Sequence, residues 1–113
     1  MKYDLEERTA RFGEDIIELC KTVSKNCITI PIIDQLIRCG TSTGANYMEA
    51  NGASSKKDFK NKIFICKKEA MESKYWLRML VKGCPEYIEQ CRKLWQEAQE
   101  LTLIFSKIAN SSK

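Results

Sequence analysis

Residues 54–83 read SSKKDFKNKIFICKKEAMESKYWLRMLVKG, and the reading of this stretch decides the fold. Phe59, Ile63, Cys66, Ala70, Ser73, Leu77 and Leu80 follow one another at alternating steps of four and three. That spacing holds a single seam on one side of an α-helix through three heptads. Ser55, with Asp58 three residues later, resembles a capping box in which Asp takes the usual place of Glu. Lys82-Gly83 with Pro85 close behind supplies a stop signal. The stretch therefore predicts a helix over about 55–82.

The same period extends on both sides. Leu5, Arg8, Phe12, Ile16, Leu19 or Cys20, and Val23 predict a first helix over about 5–23. Ile33, Leu36, Ile37, Gly40, Thr43 or Gly44, Tyr47 and Ala50 predict a second over about 30–50. Pro31 suits its first turn, and Asn51-Gly52 is expected to end it in the left-handed conformation. Ile28-Thr29-Ile30 is β-branched, but no other stretch offers it a partner strand. Gly40, Gly44 and Ala45 make a thin patch on this helix. Helix glycines cost about 1 kcal/mol each relative to Ala, so close approach of a neighbouring helix should offset them. Ile88, Cys91, Leu94 or Trp95, Ala98, Leu101, Phe105 and Ile108 predict a fourth helix over about 85–109. Four amphipathic helices with short connections imply an all-α fold, an up-and-down antiparallel four-helix bundle, in one domain over 1–113.

Composition agrees and narrows the chemistry. The 113 residues are 43% apolar and 30% charged, with only 2 Pro and 5 Gly, which reads as a globular chain of long helices. No stretch is apolar enough to span a bilayer, and the acidic N-terminal residues lack the apolar core of an export signal, so a cytoplasmic location and no membrane partner are expected. The absence of His removes the commonest general base and metal ligand. Gly40-Thr41-Ser42-Thr43-Gly44 lacks the G-K-[ST] ending and preceding strand of a phosphate loop. Asp34, Asn46 and Glu49 lack the E-x-x-H motifs of a carboxylate metal site, so Asn46 and Glu49 read as helix caps or cross-links. No catalytic residue, no metal ligand and no cofactor are expected, and the chain is not expected to be an enzyme.

The six cysteines are Cys20, Cys27, Cys39, Cys66, Cys84 and Cys91. A disulfide framework needs an oxidising compartment, and a zinc site needs closer pairs than the seven-residue minimum here. They read as free thiols serving as small buried apolar groups.

Charge is unevenly distributed. Residues 56–82 hold nine basic and three acidic residues, net +6, against +4 for the whole chain. The cations are Lys56, Lys57, Lys60, Lys62, Lys67, Lys68, Lys74, Arg78 and Lys82. Lys60, Lys67 and Lys74 fall at seven-residue steps and share one stripe. Such a strip suits phosphates, and the helix N-terminus adds anion-binding N–H groups; the competing reading is a solvated face, although few acids lie nearby to pair with it. Phe64, Ile65, Met71, Trp76, Met79 and Val81 lie off the third-helix seam, and Tyr87 and Trp95 lie on the fourth segment. One core cannot take them all, which predicts self-association. Tyr75 and Trp76 are candidates for stacking on bases.

Residues 35–50, QLIRCGTSTGANYMEA, resemble the second-helix signature of the bacterial four-helix bundle proteins, also called 23S ribosomal RNA intervening-sequence proteins, whose pattern is roughly QL-x-RS-x-x-S-x-x-AN-x-x-EG or EA. Residues 54–59 and 68–80 also look like that family, and the likeness covers about residues 8–108. Arg38, Ser42, Asn46 and Glu49 match the second-helix signature, and Phe59 and Ala70 the third-helix pattern. Cys39 replaces the usual Ser, and Ala50-Asn51-Gly52 stands where many members place Gly directly after the Glu. The resemblance implies a left-handed up-down-up-down bundle assembled as a homopentamer, a gene often lodged in a ribosomal RNA gene insertion, and no assigned enzyme activity. A similar relative is the accessory protein of diversity-generating retroelements, a basic pentameric barrel that binds a reverse transcriptase and its template RNA. The expected function is thus non-enzymatic nucleic-acid binding by an oligomer, with RNA as partner, through Lys56, Lys57, Lys60, Lys62, Lys67, Lys68, Lys74 and Arg78. The alternative is an adaptor for a protein partner such as a reverse transcriptase.

Overall fold

Each helix begins and ends where its local chemistry satisfies the exposed backbone groups. In the computed structural model, described here over residues 4–111, α1 spans Leu5–Thr22, α2 Thr29–Asn51, α3 Lys56–Gly83 and α4 Ile88–Ser111. Asp4 caps α1 by accepting the Glu7 N–H, and Ser55 Oγ caps α3 by accepting the Asp58 N–H at 3.0 Å. Lys25 Nζ donates to the carbonyls of Cys20 and Val23 at 2.8 Å each, closing the C-terminus of α1. The Asn26 side chain accepts the N–H groups of Ile28 and Thr29, both at 2.9 Å. Asn26 therefore sets the start of α2, and the β-branched Ile28-Thr29-Ile30 enters a helix.

Two termini differ from the sequence expectation. Gly52 closes α2 at φ −97°, not in the left-handed region, because its N–H reaches back to Glu49 O in a tight last turn. Pro85–Tyr87 form a separate 3₁₀ turn, and the fourth α-helix starts only at Ile88. Pro85 fits this turn, which needs no N–H from it.

The helices pack antiparallel in chain order. Thr9 lies against Gly44 and Ile16 against Gly40 across α1 and α2; Arg38 meets Glu69 and Lys62 meets Glu49 across α2 and α3; Lys74 meets Gln99 across α3 and α4. α4 returns beside α1, with Tyr87 Oη donating to Thr22 O at 2.7 Å and Arg8 reaching Glu97. Among the described residues there are four α-helices and no strand. Phe12, Ile16, Leu36, Ile63, Leu77, Leu80, Leu101 and Phe105 fill the shared core at under 2% exposure.

The interface between α1 and α4 is thinner than the other three neighbouring pairs. Arg8 bridges it with a bidentate pair to Glu97 at 2.7 and 2.8 Å and a third bond to Glu100 at 2.7 Å. Hydrogen bonding to Glu97 raises the Arg8 pKa still further, so the bridge keeps its charge. This explains a charged residue in the register of the first apolar seam. Most buried hydroxyls bond within their own helix: Thr9 donates to Leu5 O, Thr43 to Cys39 O, Ser73 to Glu69 O and Thr102 to Ala98 O, while Thr29 donates to Ser24 O in the preceding connection and Ser73 also meets Cys39 Sγ across α2 and α3.

The thin patch of α2 meets α1. A Cβ on Gly40 would lie 2.4 Å from Ile16 Cδ1, and one on Gly44 would lie 3.2 Å from Thr9 Oγ1. Gly40→Val should therefore overpack the contact with Ile16 and lower stability by about 1–3 kcal/mol; a thermal melt followed by circular dichroism should show a lower midpoint with native-like helicity below it.

All six cysteines are free; five are buried, while Cys27, in the connection between α1 and α2, is exposed. Burial pushes the Cys66 thiol up to about 12 and the Cys20 and Cys91 thiols up to about 11. Iodoacetamide at mildly alkaline pH should add one group to the folded protein, at Cys27, and six groups in urea, as counted by intact mass.

Candidate nucleic-acid interface

The geometry of the basic strip begins with the burial of α3. Its seam residues face the core, and α2 and α4 flank it on either side. The third side is open to solvent along all 28 residues, about 42 Å at 1.5 Å per residue. The molecule itself is 44 Å in its longest dimension, so this face runs nearly end to end.

At 3.6 residues per turn, Lys56, Lys57, Lys60, Lys67, Lys68, Arg78 and Lys82 fall within about one third of the helix circumference, reaching from the α4 flank, where Lys74 also lies, across the solvent side. None of these seven takes part in an ion pair among the described residues. The two remaining cations of α3 are held by neighbouring helices. Lys62 lies on the α2 flank, with Nζ donating to Glu49 Oε1 at 2.7 Å, and that hydrogen bond raises its pKa. Lys74 lies on the α4 flank, with Nζ donating to Gln99 and standing 5.1 Å from the centroid of the Trp95 ring.

Two of the three acids of α3 are engaged by α2. Glu69 is buried, and its Oε2 accepts from Arg38 Nη1 at 2.9 Å; Glu72 accepts from Arg38 Nη2. Trp76 Nε1 also donates to Glu72, at 2.9 Å. Asp58 lies one turn from Lys62 on the same flank. Glu72 stands one turn from Lys68, but its carboxylate is taken up by Arg38 and Trp76, and none of the three acids forms an ion pair with an outward cation among the described residues. Glu49 cross-links α2 to α3, and Asn46 Nδ2 donates to Ser42 O at 2.8 Å in its own helix.

The off-seam apolar residues separate into two groups. Trp76, Val81 and Tyr87 pack against the bundle's own core as half-buried side chains, so they are less available for association than the sequence suggested. Trp76 is correspondingly a poor stacking platform. Phe64, Met71 and Tyr75 project from the outward face at 47%, 48% and 54% exposure, among the unpaired cations. Trp95 is exposed at the groove between α3 and α4, beside Arg78 and Arg92. Sequence reasoning noted Phe64 and Met71 only as surplus apolar groups; their i+3 and i+4 spacing from Lys60, Lys67 and Lys68 was the signal that places them within the strip.

Among the described residues, no three Cys, Asp or Glu side chains converge to hold a metal ion, and no helix is long and apolar enough to cross a membrane.

Comparison with known proteins gives two findings. The family profile described as "23S rRNA-intervening sequence protein" matches residues 1–107. The crystal structure of a protein of unknown function from the S23 ribosomal protein family of Bacteroides thetaiotaomicron superposes with a TM-score of 0.82, at 30% identity, over 92% of this chain and 96% of that one. No curated protein matches the sequence.

Removing the guanidinium of Arg38 would leave the buried Glu69 carboxylate without its partner. Arg38→Met should lower stability by about 1–3 kcal/mol, read as a lower urea midpoint with an unchanged slope, whereas the solvent-side change Lys68→Met should leave the midpoint nearly unmoved.

Proposed function

Since the chain belongs to the 23S rRNA-intervening sequence protein family, we propose that it is a non-enzymatic, oligomeric RNA-binding protein acting through the outward face of α3. The observation that carries this reading is the row of seven unpaired cations on that face. Cations with acidic neighbours on the same helix normally exchange weak ion pairs in solvent. Here Arg38 draws away Glu69 and Glu72, so the row keeps its charge for an external anion. A polyanion of matching length neutralises the row most fully and gains counterion release.

The non-enzymatic part of the proposal is supported by the internal use of the polar groups. Buried hydroxyls are bonded within the bundle, most of them to their own helix backbone, and the buried Glu69 is bound to Arg38. Burial raises the pKa of Cys20, Cys39, Cys66 and Cys91, which keeps these thiols protonated and weakly nucleophilic. Self-association is supported by exposed large apolar residues away from the strip, including Ile17, Met48 and Leu103. The homopentameric number of the proposal comes from the family resemblance. A closed ring would repeat the strip by symmetry and multiply its field. The rival reading is an adaptor for a reverse transcriptase, as in the retroelement accessory proteins. Recovery of one protein partner after nuclease treatment, with no RNA affinity, would favour it.

Lys60→Glu combined with Lys67→Glu should weaken binding to a labelled structured RNA and flatten its salt dependence. Loss of two phosphate contacts should reduce the magnitude of the log–log slope by about 1.4–1.8, while circular dichroism stays unchanged. Fluorescence anisotropy at several salt concentrations measures this, and an unaltered slope removes the strip from the RNA site.

A further inference from the structure

We infer that the α3 face binds unpaired RNA, with bases stacked on Phe64 and Tyr75 and phosphates on the cations beside them; this rests on the RNA reading above and specifies its ligand. A strip built only for phosphates has no use for exposed rings. Yet Phe64 lies one turn from Lys60 on one side and from Lys67 and Lys68 on the other. Met71 follows, and Tyr75 lies one turn from Arg78. Charged and apolar groups therefore alternate along one exposed line rather than forming separate patches.

That alternation matches the two surfaces of a single strand. Its phosphates need cations, and its base faces need flat apolar platforms. An A-form duplex presents phosphates and 2′-hydroxyls while keeping its base faces stacked inside, so it would set polar backbone against Phe64, Met71 and Tyr75. Phe64 and Tyr75 are eleven residues apart, about 16 Å along the helix, which suits bases some nucleotides apart on one strand.

Tyr75 is also held in place. Its ring stands nearly perpendicular to that of Trp76, with centroids 5.0 Å apart at 84°. Trp76 is itself anchored by the bond from Nε1 to Glu72, which Arg38 also binds. The platform thus inherits its position from the α2–α3 contact, which lowers the ordering cost of binding.

The test measures anisotropy of three labelled probes with the full chain at low salt: an oligoadenylate, an abasic strand of equal length, and an RNA duplex. The oligoadenylate should bind at least about five-fold tighter than the abasic strand. Phe64→Ala and Tyr75→Ala should each weaken oligoadenylate binding by about five-fold or more. Duplex and abasic affinities should stay nearly constant, and Tyr75→Trp should retain strand binding. Both positions are exposed, and circular dichroism verifies that the variants fold. Equal affinity for oligoadenylate and abasic strand, with silent aromatic variants, overturns this inference while leaving phosphate binding intact. A change in sedimentation of Phe64→Ala without a change in strand affinity also overturns it, because a second copy then covers the face. Absence of binding to all three probes removes the RNA reading itself.

Discussion

Arg38 organises the electrostatics of the molecule from a position on the helix next to the one it affects. Its guanidinium reaches from α2 to both Glu69 and Glu72 on α3, and Glu72 in turn holds Trp76. Glu69 is buried and needs this charged partner, since a carboxylate taken from water without one is costly. The same contact gathers carboxylates of α3 to the α2 side. The outward cations of α3 are left without an ion-pair partner among the described residues. One interhelical contact therefore serves packing and also separates the charges of α3.

Packing then converts this separation into a surface. α3 is braced on both flanks, by α2 and by α4, and presents its remaining third over nearly the whole length of the bundle. The close approach at Gly40 and Gly44 seats α1 against α2, and the Arg8 bridge joins α1 to α4 where their interface is thin. The rigid part of the molecule lies behind the cationic face. Side chains on such a helix keep their spacing, which is what an extended ligand would read.

Much of this was legible in the sequence. The four-three spacing from Phe59 to Leu80 locates the α3 seam, because a helix buried on one side leaves a periodic record. The excess of Lys over Asp and Glu in 56–82 locates the strip for the same local reason. What could not be read was set by other helices. Lys62 and Lys67 look alike in sequence, but only Lys62 meets Glu49. Lys74 belongs to the stripe by spacing, yet Gln99 and Trp95 hold it. Trp76 looked exposed beside Tyr75 until α2 supplied the partner network that fixes it. The cap at Asn26 was missed because the following β-branched run obscured where α2 begins, and the left-handed ending expected at Gly52 yielded to a tight turn.

The unpaired row also bears on the folding equilibrium. Lys56 and Lys60, Lys57 and Lys60, and Arg78 and Lys82 are like charges three or four residues apart. Such pairs each disfavour the helix by about 0.2–0.5 kcal/mol, so self-repulsion works against α3 in the folded chain. An anion lying along the row relieves that repulsion only when the helix is formed. By linkage, any polyanion that prefers the folded state raises the free energy of unfolding. The bundle's stability is in this sense a property shared between the chain and the anions around it.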